Sequence, residues 1–389
     1  MRTEYRLDEL FDLQMGKTPA RNNPEYWDSE DHKWISIADL SKCGKYIFDT
    51  KEYLSEKAVQ ESGISQIPEN TVIMSFKLSI GKTAITPEPM YSNEAIMSFR
   101  DKHVTEILPD YLYYMFSGKD WEAGTNKAVM GKTLNKATLS GTRIKVHDVE
   151  EQRAIVAVLD KVKAVLDARE EELEKLDDLI KARFVELFGD AVKNPMGWPK
   201  KELQELVTDD CTISYGIVQT GDDQEDGVPV FRPVDIVNHI PVRSELKKTT
   251  NEISNKYKRT ILQGRELLIT VRANIADSYI IGEEFAGCNV GRGIVPIRTK
   301  ENEIILEFLK HQLDSKHLND EIKSKAKGIT LIQLNMEDLR TIELMVPPIE
   351  QQIAFVKFAD QVDKSKAVVQ KSLDETQKLF DSLMQKYFG

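Results

Sequence analysis

The chain repeats itself, and the repeat limits what it can fold into more than any other feature does. Near the start of each half, Leu7 and Leu10 correspond to Leu203 and Leu206, and the run Trp34 to Leu40 corresponds to Val230 to Ile236. Farther on, Val72-Ile73-Met74-Ser75-Phe76-Lys77 matches Leu267-Leu268-Ile269-Thr270-Val271-Arg272. Asn93 matches Asn289, and Gly131-Lys132-Thr133-Leu134 matches Gly328-Ile329-Thr330-Leu331. The halves also close alike: Val149-Glu150-Glu151-Gln152 is answered by Ile349-Glu350-Gln351-Gln352, and Phe188-Gly189 by Phe388-Gly389. A chain of 389 residues is long for one core, so two globular units plus something extended are expected.

The extended parts lie between the closing markers. Candidate core positions alternate by four and three through Ile155, Leu159, Val162, Leu166, Arg169, Leu173, Leu176, Ile180, Arg183 and Leu187. The second copy reads Phe355, Ala359, Val362, Lys366, Val369, Leu373, Thr376, Phe380, Leu383 and Tyr387. This spacing keeps one stripe toward a partner helix, the condition for a coiled coil. Asp148 suits the N-cap of the first helix, Pro347-Pro348 the opening of the second, and Gly189 and Gly389 a left-handed C-terminal turn. About 40 residues at 1.5 Å each make a helix of about 60 Å, a length that suggests a spacer.

Outside the helices each half carries short β-like runs. Trp34 to Leu40, Thr71 to Phe76 and Ala95 to Phe99 belong to the first; Glu266 to Arg272, Tyr279 to Gly282 and Gly293 to Arg298 belong to the second. Helical stretches at Asp110 to Phe116 and Ile304 to Leu309 hold similar places, so one α+β domain occurs twice. The expected divisions are 1–148, a helix over 149–189, 190–348, and a helix over 349–389.

Composition removes other classes. No apolar run approaches the ~18 residues of a membrane span, and the first residues are charged, so a cytoplasmic protein is expected. Cys43, Cys211 and Cys288 lie far apart without a CxxC pair, which suggests buried small residues rather than disulfides or thiolate metal sites. His311 and His317 fall in an amphipathic stretch where helix-surface positions are expected, and no metal is expected. The net charge of -11 is unlike that of a free-standing DNA binder, and its excess is spread thinly with no acidic tail. If DNA is bound, local basic faces or other subunits supply the phosphate contacts.

Three Gly-Lys-Thr tripeptides, at Gly16, Gly81 and Gly131, invite a nucleotide-binding reading. A P-loop needs a glycine five positions before its last one, and those places hold Phe11, Phe76 and Asn126. Asn22-Asn23-Pro24-Glu25 and Asn194-Pro195-Met196-Gly197 do not supply the Asn-Pro-Pro-aromatic motif of an amino-methyltransferase, and Pro109-Asp110 starts a helix rather than a nuclease strand. No catalytic residue is expected in this chain.

Val346-Pro347-Pro348-Ile349-Glu350-Gln351-Gln352 opening the last helix, with Gly16-Lys17-Thr18-Pro19 and Tyr26-Trp27 early in the first domain, gives the chain a resemblance over its whole length. It resembles the specificity subunits of Type I restriction-modification enzymes. The first helix departs from the pattern, with His147-Asp148 where Pro-Pro stands in the second. The resemblance implies an α+β fold: two repeated α/β target-recognition domains separated by two long α-helices forming an antiparallel coiled coil. It implies that each domain reads one half of a bipartite, asymmetric double-stranded DNA target. The implied partners are two modification (methyltransferase) subunits and restriction (endonuclease and translocase) subunits. S-adenosylmethionine, ATP and Mg would then belong to those partners, with no cofactor in this chain.

On that reading the DNA contacts are chosen by chemistry: Lys and Arg for phosphates or guanine edges, Asn for adenine edges, Thr for either. In the first domain they are Lys17, Thr18, Arg21, Asn22, Lys77, Lys82, Lys127 and Lys132. In the second they are Thr220, Arg232, Arg272, Asn274, Arg292, Lys325 and Lys327. The rival from another class is a coiled-coil scaffold whose repeated domains bind proteins, which the acidic balance suits. It gives no reason for matched domains with such different surface sequences.

Overall fold

In the computed structural model, which describes residues 2–77, 79–121, 134–236, 241–328 and 332–389, the chain forms two compact units. One comprises residues 1–170 with 371–389, the other 171–370, so each unit takes a share of both long helices. Those helices run Val149–Phe188 and Ile349–Phe388.

In the first unit a four-stranded antiparallel sheet orders the strands Phe11–Met15, Ile96–Asp101, Thr71–Ser75 and Thr83–Thr86. A second sheet sets His32–Ile35 between antiparallel Glu52–Leu54 and parallel Tyr91–Ser92. Strand Thr3–Arg6 pairs with Arg143–Val146 and closes the domain. The second unit repeats the plan. Leu267–Thr270 lies between Ser278–Ile280 and Ile294–Ile297, Val228–Phe231 lies between Lys248–Thr249 and Asn289–Val290, and Lys200–Glu202 pairs with Glu343–Met345. Helices Pro109–Ser117 and Leu306–Leu313 hold equivalent places.

The expected strand Trp34 to Leu40 stops at Ile35. Ser36 and Asp39 form a capping box, with Ser36 N–H donating to Asp39 Oδ2 at 2.9 Å and Asp39 N–H to Ser36 Oγ at 3.3 Å, and Ile37–Leu40 turns as helix. The second copy also leaves the strand, as a 3-10 turn over Pro233–Ile236. Two expected correspondences shift as well. Asn93 N–H donates to Ile35 O while Gly291 N–H donates to Phe231 O, so Asn93 is answered by Gly291 and not by Asn289. Leu134 N–H donates to Phe76 O and Leu334 N–H to Val271 O, so Leu134 is answered by Leu334 and not by Leu331. The second half therefore carries small insertions that shift these pairs by two and three residues.

All ten predicted stripe positions of each long helix are buried or half-buried. In the second unit Lys366 Nζ meets Asp177 Oδ1 at 2.5 Å, while Phe355 lies against Phe184 and Phe188 at ring-centroid distances of 5.5 and 5.7 Å. Ascending one helix descends the other, so the pair is antiparallel there. His311 is not a free surface residue: its ring packs edge-on against Phe355 at 5.1 Å, and burial pushes its pKa down. His317 is exposed and pairs with Asp190. Cys211 and Cys288 are buried and Cys43 is half-buried.

The Glu-Glu-Gln and Glu-Gln-Gln signatures have a structural cause in their last residue. Gln152 is fully buried; its Oε1 accepts from Leu108 N–H at 2.9 Å, and its Nε2 donates to Glu106 O and His147 O at 3.0 and 2.9 Å. Gln352 repeats this on Ile305 N–H, Glu303 O and Pro347 O at 3.0, 3.0 and 2.8 Å. Each glutamine thus ties the first turn of a long helix to the loop that opens the neighbouring helix. Gln152→Leu fills the same space but orphans three backbone groups, one buried and two part-buried, so we expect a loss of about 1–3 kcal/mol of unfolding free energy, read by urea denaturation. An unchanged midpoint would mean that water satisfies those groups.

Candidate nucleic-acid interface

The pairing registers bring the loops of the first unit to one end of its sheet. Met15 pairs with Met97 and Ser75 with Ile96, while Met74 pairs with Thr83. The chain therefore leaves or enters the sheet at that end through residues 16–22, 76–82 and 93–95. Gly16 is required there by close approach, since a Cβ would sit 2.2 Å from Ser92 O. Gly81, at φ +88°, turns the hairpin beneath Trp121, whose Cδ1 a Cβ would meet at 2.9 Å. Two of the Gly-Lys-Thr tripeptides thus owe their glycines to backbone packing; the one at Gly131 lies outside the described residues.

Thr18, Arg21 and Lys77 gather about Glu94. Thr18 Oγ1 donates to the Glu94 carboxylate, and that bond, with the charges of Lys77 and Arg21, holds the carboxyl below its usual range. Arg21 is braced further: its guanidinium lies 3.8 Å from the Trp27 ring centroid and 4.7 Å from that of Trp34, and it pairs bidentately with Glu52. Lys17 donates to Ser62 O, and Asn22 is exposed on the turn beyond Arg21. Lys77 lies 5.3 Å from the Phe76 ring, and Lys82 is exposed. Lys127 and Lys132 lie outside the described residues.

The equivalent end of the second unit gathers Arg232, Arg272 and Arg292 about the turn Gly291-Arg292-Gly293. A Cβ on Gly291 would lie 3.9 Å from Arg232 Cγ, and one on Gly293 would lie 3.3 Å from Arg272 Cβ. Arg232 is engaged by Asp235 through Nε at 2.9 Å and Nη2 at 2.6 Å, which raises its pKa; it braces the turn that Ser36 caps in the first unit. Arg292 lies 5.8 Å from the Tyr215 ring centroid. Asn274 is exposed at the loop tip and the Thr220 carbonyl accepts from Thr249 Oγ1 at 2.7 Å. Lys325 pairs with Glu321 at 3.2 Å and Lys327 stands 4.0 Å from Asp338.

Both hairpin loops are wired alike by one hydroxyl. Ser75 Oγ donates to Ser79 O and accepts from Lys82 N–H at 3.1 Å. Thr270 Oγ1 donates to Asn274 O and accepts from Asp277 N–H at 3.1 Å. Gly81 N–H and Ala276 N–H donate to Ser75 O and Thr270 O, each at 2.9 Å. Upon this shared backbone the charges differ. Lys82 is answered by Asp277, whose carboxyl burial raises above its usual range, and Glu94 by Arg292. Gln333, Glu94 and the Trp27–Trp34 platform were not among the expected site residues; matching Leu134 to Leu334 exposes Gln333.

Two copies of one α+β domain, each presenting loops rich in Arg, Lys, Asn and Thr at one sheet end and each built with part of both long helices, define a protein with two repeated recognition domains. The chain belongs to the Type I restriction modification DNA specificity domain family, whose model matches residues 3–177 and 195–377. It is 24% identical over 366 residues to the Type I restriction enzyme EcoBI specificity subunit of Escherichia coli, covering 83% of this chain and 75% of that one. Similarity to the MjaIX specificity subunit of Methanocaldococcus jannaschii is 23% over 380 residues, covering 88% and 82%. The fold matches the S subunit of a Type I restriction-modification system from M. genitalium with a TM-score of 0.56 at 14% identity, over 100% of this chain and 96% of that one. A chain from a structure concerned with complex assembly and conformational transition of the type I R-M system matches with a TM-score of 0.62 at 20% identity, over 100% and 97%. Among the described residues no helix is long and apolar enough to cross a membrane.

Proposed function

We propose that this chain reads a bipartite, asymmetric double-stranded DNA target, one half-site per unit, in the cytoplasm. In the assembly it docks two modification subunits, which methylate adenine using S-adenosylmethionine, and restriction subunits, which cleave using ATP and Mg. The observation that carries the reading is the pair of identically wired loop ends with opposed charges at Lys82/Asp277 and Glu94/Arg292. A fixed frame with altered contact groups is what two readers of different sequences require. Lys17, Thr18, Arg21, Asn22, Lys77, Lys82, Thr220, Arg272, Asn274, Arg292, Lys325 and Lys327 are the proposed contacts, with Lys127 and Lys132 carried from the sequence. Arg232 is better placed to brace Asp235 than to meet a base.

The test is sequencing of methylated DNA from cells expressing this chain with its modification subunit. A motif of two unlike half-sites across an unread gap is expected. A continuous or palindromic motif would contradict the proposal. Because the chain carries a net charge of -11, DNA affinity of the isolated chain should be weak and rise when the modification subunits join, as an electrophoretic shift at fixed salt can show.

A further inference from the structure

We propose that Arg272 reads a guanine in the second half-site and that Gln333 is the residue that positions it; the inference rests on the DNA-reading function proposed above. Arg272 stands two residues past the end of strand Leu267–Thr270, at the mouth of the hydroxyl-wired loop. Its Nε donates to Gln333 Oε1 at 3.0 Å, and its Nη2 donates to the same oxygen. One acceptor thus occupies one edge of the guanidinium. Of five N–H donors, the three left lie on Nη1 and the far side of Nη2, and two of them point the same way. That end-on pair matches the O6 and N7 acceptors of guanine in the major groove.

The holder is itself held. Gln333 N–H donates to Lys327 O and Lys327 N–H to Gln333 O, both at 3.0 Å, and Leu334 N–H donates to Val271 O at 2.9 Å. The backbone of Gln333 is thus held on both sides, which sets its side chain beside Arg272, and the two bonds to one oxygen orient the guanidinium before DNA arrives. Gly293 leaves room for the Arg272 stem, since a Cβ there would lie 3.3 Å from Arg272 Cβ and 2.4 Å from Pro233 Cγ. The partner is also neutral. Arg232, Arg265 and Arg298 in the same unit are engaged by carboxylates, whereas Arg272 is oriented by an amide that leaves its charge intact. The first unit has Lys77 at this place, over the Phe76 ring, a point charge without a fork, so the two units read differently here.

The test is methylated-motif sequencing of the full chain expressed with its modification subunit, with binding to the motif and its single-base variants measured by electrophoretic shift. The native second half-site should contain a guanine whose replacement weakens binding about tenfold to a hundredfold. Arg272→Lys keeps the charge and stem but not the fork; it should lower binding to the native motif toward that of the guanine-replaced variants and so level that guanine preference, leaving the first half-site unchanged. Gln333→Leu should blunt the preference, and Gln333→Glu, which keeps an acceptor oxygen there, should restore it with weaker binding overall. A merely structural role for Gln333 would lower protein yield or all binding alike and would not touch one base. A guanine preference unchanged in Gln333→Leu overturns the positioning role. A second half-site without guanine, or one still read in Arg272→Lys, overturns the reader assignment while the DNA-reading function stands. Failure of every variant, and of the native complex, to prefer any split motif would overturn that function itself.

Discussion

Exchanging residues 1–148 for the corresponding domain of a homologous subunit is expected to replace one half of the methylated motif and leave the other half unchanged. The contacts that join this domain to the long helices explain why the graft should hold. Gln152 grips the domain only by backbone groups, Leu108 N–H, Glu106 O and His147 O, and Gln352 does the same with Ile305 N–H, Glu303 O and Pro347 O. A donor domain with a different side-chain surface still offers those groups. The remaining contacts are a few side-chain bonds that a donor domain must keep or lose together, Lys45 and Tyr114 on Asp160 at 2.8 and 2.6 Å and Arg153 on Glu106 at 3.5 Å, and an apolar core, in which Ile155, Leu159 and Met384 pack with Tyr111, Leu112 and Met115. That face must stay apolar and of similar volume, because an overpacked or hollow seam costs about 1–5 kcal/mol. Methylated-motif sequencing of the chimaera reads the result. Loss of both halves together in a stable, assembled chimaera would mean that the two readings are not separable.

The large-scale plan was legible because it rests on periodicity, which needs no tertiary knowledge. Every position of the four-three stripe is buried or half-buried on both long helices, even where the residue is Arg169, Arg183 or Lys366, since a heptad tolerates a long side chain whose stem packs; Phe184, Phe188 and Met384, buried beside the stripe, lay outside it. The helix ends were also legible: Asp148 Oδ1 accepts from Glu151 N–H at 3.0 Å, and Gly189 turns at φ +77°. The strand ending at Ile35 was missed although Ser36 and Asp39 carry a capping pattern, because Trp34 to Leu40 reads as apolar enough for either period. The role of Gln333 was hidden for another reason. Its importance lies in a backbone bridge to Arg272 across some sixty positions of sequence, which no local pattern encodes and which a three-residue slip in the repeat match obscured. Residue type alone also left Arg232 incompletely described: a basic side chain at a turn invites assignment to DNA, and only the geometry adds its pairing with Asp235.

Inserting one heptad after Leu173 and a matching one after Leu373 is expected to yield an active subunit whose half-sites are unchanged and whose unread gap is longer. Each insertion preserves the stripe, since seven residues return the buried face to its partner. Both must be made, because the helices run antiparallel: Asp177 meets Lys366 while Phe184 meets Phe355, so a heptad added to one alone leaves a loop or shifts every later contact. Seven residues at 1.5 Å add about 10.5 Å to each helix. DNA rises about 3.4 Å per base pair along each strand, so if the helices lie along the DNA the gap grows by about three base pairs. The same two sites provide a control. Two inserted residues turn the later stripe by about 200° at 3.6 residues per turn, carry the positions equivalent to Ile180 and Phe380 away from the seam, and should abolish assembly. The measurement is the motif methylated by each variant with its modification subunit. An active heptad variant with the original gap would place the control of spacing outside the helix pair, in the way the recognition units or the modification subunits seat on DNA.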